Sequence, residues 1–128
     1  MADNNLFEYA VIRYVPRPER EEFLNIGVII FCKASGFLQM KYELDKQRIL
    51  AFYEKADVEA LQHFLEGFEE IGNGSSATSP IAKLDTASRF RWLTAVRSTI
   101  VQTSKVHPGL CLQPQQTLEK LFKELVQS

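Results

Sequence analysis

Apolar and polar positions alternate in the first third of the chain as they do in β-strands. Residues 7–15 are rich in aromatic and β-branched side chains, which suit a pleated, half-buried surface. Residues 23–33 are apolar on both faces, so this second strand is predicted to lie inside its sheet. Residues 37–44 have one polar face and are predicted to lie nearer an edge. The connections between these segments predict an antiparallel meander.

The hydrophobic period then changes to that of helices. Asp45 and Asp57 each stand where a side chain can cap the first turn of a helix. The helix after Asp57 has an apolar stripe opposite its glutamates, which is typical of a helix packed on a core. The segments predicted as helices are 46–54, 58–71, 79–93 and a last one that begins at Pro114.

A fourth strand, residues 98–103, is predicted before the last helix. The element order β-β-β-α-α-α-β-α predicts one α+β domain over residues 1–128. We expect two layers, with an antiparallel sheet of about four strands and helices packed mainly on one face. The glycine- and serine-rich loop near 72–79 is predicted to be mobile.

The composition is that of an ordinary soluble globular domain, with 45% apolar and 24% charged residues. The longest apolar run, Ile26 to Cys32, is too short to cross a bilayer, and the first residues lack the pattern of a signal peptide. We therefore expect no membrane contact and, by elimination, a cytoplasmic location. The two cysteines are far apart, which predicts neither a disulfide nor a zinc site, and no metal or other cofactor is expected.

Charge is distributed unevenly along the chain. Residues 41–78 contain eight acids and four Lys or Arg, whereas residues 79–128 contain seven Lys or Arg and three acids. The basic segment could bind an anion or could pack against the acidic middle of the same chain. Its candidate anion-binding residues are Arg89, Arg91, Arg97 and Lys105.

The strong catalytic signatures are missing from the sequence. There is no phosphate-binding glycine loop, no H-E-x-x-H and no G-x-S-x-G motif. Of the two histidines, His107 is the better general-base candidate because it stands at a turn after a predicted strand. The sequence leaves enzymatic activity open and favours a protein without it.

Polar residues interrupt the apolar rows of the first two strands. Arg13 needs a carboxylate or another acceptor, and Glu22 across the hairpin is the simplest partner. Asn25 needs hydrogen bonds. Gly27, predicted on the same face as Asn25, indicates either close approach of a backbone or ligand or a β-bulge.

Two segments resemble a known family: R-Y-V-P-x-x-x-x-x-E-F-L-N-I-G-V-I-I-F at 13–31 and R-F-R-W-L-T-A-V-R-S-T-I-V-Q-T-S-K-V-H-P-G-L at 89–110. Over nearly its whole length the chain is similar to the bacterial domain-of-unknown-function family 3037. The resemblance implies no established activity. Its members look to be frequently encoded beside a kinase-like, toxin-type protein, which implies a partner role. The family-like polar positions are Arg13, Glu22, Asn25, Gly27, Arg89, Arg97, Ser98, Gln102 and His107.

The chain departs from the family pattern before the last helix. Gln113 stands where the resemblance implies an aspartate cap, and glutamine caps a helix poorly. This departure affects the expected start of the helix more than the function.

These observations favour a small cytoplasmic binding or regulatory module that acts through a protein partner, with a kinase-like protein encoded nearby as the candidate. The alternative is binding of nucleic acid or a phosphate ligand, with or without hydrolysis, through the four cations of the basic segment. Nucleic acid is not favoured because the net charge is −1. The site requires the first β-hairpin and the late strand to be neighbours. Its predicted residues are Arg13, Glu22, Asn25, Arg97, Ser98, Gln102 and His107.

Overall fold

An antiparallel sheet forms the centre of the structure, a computed structural model that describes residues 4–97 and 99–127. Its five strands are β1 (Asn5–Tyr14), β2 (Leu24–Cys32), β3 (Phe37–Tyr42), β4 (Val101–Thr103) and β5 (His107–Cys111). β3 pairs with β2 and β2 pairs with β1. β4 and β5 both pair with the remaining edge of β1, β4 near its end and β5 near its start. The predicted interior position of the second strand is confirmed.

The helices cover both faces of this sheet. They are α1 (Lys46–Phe52), α2 (Val58–Asn73), α3 (Thr86–Leu93) and α4 (Pro114–Leu125). The first three share one apolar core with one sheet face, which confirms the predicted α+β class with helices mainly on one side. α4 packs on the opposite face, where Leu118 and Phe122 cover Val28 and Ile30 of β2. It adds a third layer to the two that were predicted, because the second apolar face of β2 would otherwise face water.

Two helix starts agree with the predicted caps. The carboxylate of Asp45 accepts a hydrogen bond from the Arg48 N–H at 3.2 Å, and that of Asp57 accepts one from the Ala60 N–H at 3.0 Å. α4 begins at Pro114 although Gln113 makes no capping hydrogen bond through its side chain. The proline needs no acceptor for a backbone N–H, so one of the usual orphan donors is missing at this end.

The helix predicted over 79–93 is divided in two. Pro80–Lys83 form a short 3-10 turn, and α3 follows after a break. The break occurs because Asp85 begins a new helix: its carboxylate accepts a hydrogen bond from the Ser88 N–H at 2.7 Å.

The loop after α2 begins later than predicted. Gly74 ends the helix with a left-handed φ of 71°, and its N–H bonds to the carbonyls of Glu70 and Ile71. The first two residues of the loop predicted near 72–79 therefore belong to α2, and mobility of the remainder stays a prediction.

The sequence pattern does not predict β5. Pro108 and Gly109 indicate a break, yet a proline is tolerated in a strand that pairs on one side only. Gly109 lies opposite Phe7 of β1, and a Cβ atom there would stand 2.5 Å from the Phe7 ring. The strand predicted over 98–103 is shorter: β4 includes only Val101–Thr103, and the chain bends at Thr99 and Ile100.

Ser104 links β4 and β5 along β1. Its N–H donates to the Val11 carbonyl at 2.8 Å, and its hydroxyl oxygen accepts from the Val11 N–H at 2.8 Å. The same hydroxyl donates to the Lys105 carbonyl at 2.9 Å. The Ser104 hydroxyl thus replaces a backbone carbonyl as the acceptor for the Val11 N–H. Both backbone groups of Val11 therefore have hydrogen-bond partners.

A β-bulge separates Asn25 from Gly27. Gly27 lies opposite Ile12 and Asn25 lies opposite Arg13, so Ile26 is the extra residue. The prediction that Asn25 and Gly27 share a face is wrong, because the extra residue reverses the alternation. The close approach also exists: a Cβ at Gly27 would lie 2.8 Å from the Lys41 carbonyl oxygen of β3.

The contrast between two glycines gives a test of this packing. Gly27→Ala is expected to lower the free energy of unfolding by about 1–3 kcal/mol, because the backbone of β3 has to move. Gly67→Ala is the control: apart from its two neighbours and the backbone of its own helix, no atom lies within 4 Å of a Cβ there, and the position is inside α2. That substitution should raise the free energy of unfolding by about 0.5–1 kcal/mol. Urea denaturation of both variants measures the opposite signs, and equal signs would contradict this account of Gly27.

Candidate functional site

The first hairpin and the late strand meet as predicted. β1 and β4 are antiparallel neighbours, and Arg13 lies directly opposite Gln102. On its other side Arg13 faces Asn25 of β2, which holds the last turn of α4. Arg13 also lines an open pocket at the protein surface.

This pocket has a volume of about 350 Å³ and lies between the connector 15–23 on one side and Val96, Arg97 and Gln102 on the other. Two guanidinium groups, one carboxylate and one amide share it with apolar walls. We call it the arginine pocket, and its lining residues are Arg13, Val15, Pro18, Glu21, Phe23, Val96, Arg97 and Gln102.

The Arg13 side chain contacts the aromatic ring of Phe23 and no carboxylate of the described residues. Its guanidinium carbon lies 3.9 Å from the centroid of the Phe23 ring, a cation–π contact. Its Nε is buried, and no described residue forms a hydrogen bond or ion pair with this side chain. Burial lowers the pKa of the Arg13 guanidinium because the charged form loses hydration.

The predicted pairing of Arg13 with Glu22 is wrong. Glu22 accepts a hydrogen bond from the Arg20 Nε at 2.5 Å, and both side chains are about half exposed. The pair forms locally because the 3-10 turn over Pro18–Arg20 brings two residues of the connector together. Arg13 instead contacts the Phe23 ring and lines the arginine pocket, where its positive charge has no carboxylate partner among the described residues.

Arg97 is stacked in the same manner on a second ring. Its guanidinium carbon lies 4.5 Å from the centroid of the Trp92 ring, and it donates a hydrogen bond to the Trp92 carbonyl. Trp92 belongs to the last turn of α3, where a cation is favourable beside the unpaired carbonyls. Gln102 of β4 is oriented by the residues before the strand, since its Nε2 donates to the Thr99 carbonyl at 2.8 Å.

Asn25 serves the fold instead of the arginine pocket. Its Nδ2 donates to the Leu125 carbonyl at 3.2 Å, and Arg48 donates to the Val126 carbonyl at 2.7 Å. Both side chains satisfy carbonyls that the end of α4 leaves unpaired. Asn25 lines a different cleft, together with Glu43 and Asp45. Nothing in the sequence pattern marks Arg48, because its partner is a backbone group far along the chain.

His107 lies at a distance from the arginine pocket. It is exposed on β5 opposite Tyr9, and the two rings are 5.3 Å apart between centroids. Tyr9 precedes Arg13 by four residues of β1, a separation of about 13 Å. The proposed general-base role of His107 therefore has no support from the other predicted site residues. Ser98 lies outside the described residues.

The four cations of the basic segment do not form one surface. Arg91 makes two hydrogen bonds to the Glu8 carboxylate, at 2.7 and 2.8 Å, which raises the pKa of Arg91. Arg89 donates to the Leu84 carbonyl at 2.6 Å beside the end of α2. Lys105 is exposed between β4 and β5. Only Arg97 reaches the arginine pocket.

No three His, Cys, Asp or Glu side chains within 4–97 and 99–127 are placed so that they could hold a metal ion. None of the helices in that part of the chain has the length and apolar character that crossing a bilayer requires.

Five residues that line the pocket were not among the predicted site residues: Val15, Pro18, Glu21, Phe23 and Val96. Phe23, Glu21 and Val96 line it, but nothing in the sequence pattern marks them. Phe23 follows the apolar pattern of a strand, and Glu21 is one of several charges in an exposed connector. The exposed fraction of Phe23, 44%, is the signal that becomes visible only in the structure.

The fold and the pocket define a small α+β domain whose surface presents two arginines stacked on aromatic rings. A family model for proteins of unknown function (DUF3037) matches residues 9–126. The chain belongs to this family, and the resemblance carried by the two sequence segments is confirmed. A search of curated proteins and a search of solved structures each gave no match.

Proposed function

We propose that the protein is a binding module that acts through a protein partner, and that the partner contacts the surface around the arginine pocket. This surface includes apolar side chains from the connector, from α3 and from the loop before β4. We call it the contact patch, and it consists of Arg13, Phe23, Trp92, Val96, Arg97 and Ile100.

The observation that carries the proposal is the convergence of exposed apolar side chains on two arginines. Phe23, Trp92 and Ile100 are each more than a third exposed, and Val96 is fully exposed. The Ile100 carbonyl bonds to the Val15 N–H at 2.7 Å, which joins this loop to the wall of the pocket. Tryptophan and arginine are the residue types that most often dominate the binding energy of protein interfaces.

The alternative, binding of nucleic acid or a phosphate ligand through the basic segment, has less support. A phosphate backbone is bound by several cations in a row, and each contact adds to the salt dependence. Here Arg91 is neutralised by Glu8, and Arg89 is engaged with its own helix start. The contact patch offers two cations among apolar side chains, which suits a protein surface better.

A kinase-like protein encoded beside this gene is the partner to test first, because the family resemblance implies that neighbour. The experiment measures capture of the purified kinase-like protein by the immobilised full chain at micromolar concentration. The test variant is Val96→Asp, since Val96 is fully exposed and its replacement leaves the core intact. We expect at least about a tenfold loss of capture, as for a charge placed in the apolar part of an interface.

The matched control is Leu112→Asp, which places the same charge at an exposed leucine outside the contact patch. It should capture the partner as the unchanged chain does. If the unchanged chain captures no kinase-like protein, this partner is rejected. If Val96→Asp and Leu112→Asp lose capture equally, the contact patch is rejected as the binding surface.

A further inference from the structure

Glu21 stands out on the wall of the arginine pocket by its backbone. Its φ is 57°, and it is the only described residue other than glycine with a positive φ. It follows the 3-10 turn of the connector, and its N–H donates to the Pro18 carbonyl at 3.1 Å. A residue with a Cβ atom in this left-handed region costs about 1 kcal/mol that glycine would not. The turn therefore favours glycine, and a carboxylate stands there instead.

The charges of the pocket sum to one positive unit, from Arg13 and Arg97 against Glu21. A singly charged anion neutralises that sum. The attraction to the pocket grows in proportion to the charge of the ligand, whereas the cost of taking an ion out of water grows with its square. A doubly charged phosphate also has more repulsion from the Glu21 carboxylate.

The geometry of the two arginines suits a planar ligand. A guanidinium presents parallel N–H donors that match the two oxygens of a carboxylate. The cation–π contacts of Arg13 with Phe23 and of Arg97 with Trp92 restrain both side chains, so less side-chain freedom is lost on binding. Phe23, Val15 and Val96 form apolar walls on which neighbouring side chains of a ligand can pack.

We infer that the arginine pocket binds one carboxylate of an acidic side chain within an apolar segment, and that Glu21 makes it discriminate against a phosphorylated segment. This rests on the proposed function only for the source of the segment, a protein partner. Arg13 and Arg97 bind the carboxylate, and Glu21 sets the preference for a single charge.

The experiment titrates the isotopically labelled full chain with two short peptides and follows its NMR chemical shifts at low salt and pH 7.5. The peptides are acetyl-leucyl-aspartyl-leucine amide and its phosphoserine counterpart, which has almost two negative charges at that pH. The unchanged chain should bind the aspartyl peptide more tightly, with shifts at the amides of the connector and of the loop before β4.

Glu21→Gln removes the charge and keeps the shape of the side chain. It should tighten binding of the phosphoserine peptide about tenfold and of the aspartyl peptide about threefold, because the removed repulsion doubles with the ligand charge. Glu21→Gly removes the charge and relieves the backbone, and it should show the same change of preference. This second variant keeps the test valid if glutamine disturbs the turn.

Three outcomes would overturn the inference: preference of the unchanged chain for phosphoserine, no change of preference in either Glu21 variant, or no shifts with either peptide. The titration uses no partner protein, so it fails or succeeds independently of the capture experiment. If the chain binds the peptide but does not capture the kinase-like protein, that partner is rejected and the carboxylate pocket is retained. If it captures the protein but binds neither peptide, the partner is retained and the carboxylate specificity of the pocket is rejected.

Discussion

Arg13→Met is expected to weaken capture of the partner at least about tenfold while the free energy of unfolding stays unchanged or rises by up to about 1 kcal/mol. The expectation follows from the surroundings of Arg13: it has a ring contact to Phe23 and no hydrogen bond or ion pair with any described residue. Methionine keeps an apolar contact with the ring and removes a partly desolvated charge.

The measurement pairs urea denaturation with the capture assay, and Arg17→Met is the control. Arg17 belongs to the same connector and lies 5.6 Å from the centroid of the Tyr53 ring, but it is outside the arginine pocket. Its replacement should leave capture unchanged. A loss of stability above about 1 kcal/mol for Arg13→Met would show that the arginine supports the fold, and the contact patch would lose its central residue.

The second large effect concerns Phe90 in α3. Phe90→Ala is expected to lower the free energy of unfolding by about 3–5 kcal/mol. The Phe90 side chain has no exposed surface, and its ring stacks on that of Phe31 from β2 at 5.3 Å between centroids. Alanine would leave a cavity between the helical layer and the sheet, and the surrounding side chains can close it only in part.

Trp92, the single tryptophan, lies two residues further along α3 and provides the fluorescence signal for the unfolding curve. Phe64→Ala is the matched control, because Phe64 is 38% exposed on α2. Its replacement should change the free energy of unfolding by less than about 1 kcal/mol. Comparable losses for the two phenylalanines would contradict the packing of α3 described above.

Local signals in the sequence predicted most of the fold. The caps at Asp45 and Asp57 and the two apolar faces of β2 act over a few residues, so their pattern is visible in one dimension. β5 was missed because Pro108 and Gly109 are typical of a turn and are unfavourable in a strand that pairs on both sides. They are tolerated in an edge strand, and a strand's position at the edge is a property of the tertiary structure. The sequence also does not show on which side of the sheet α4 packs. The amphipathic pattern predicts which face of the helix is buried, but not which face of the sheet covers it.

The site could be predicted in part for the same reason. Arg13 and Gln102 were expected to meet, and strand pairing brings them together. Glu22 was predicted to pair with Arg13 because the two lie across the hairpin from each other. In the structure the 3-10 turn of the connector brings Glu22 next to Arg20, and these two residues pair. Glu21 and Val96 had no signal, because a left-handed φ and a fully exposed valine are properties of the folded loops.

The interruption between β4 and β5 has a consequence for how other chains can approach. Ser104 keeps the bent strand bonded to β1, and Pro108 removes a backbone donor from that strand. An irregular edge without a full row of donors is a poor template for an incoming strand. Pairing of an incoming strand with this flank of the molecule is therefore disfavoured, both for a partner chain and for a second copy of this one.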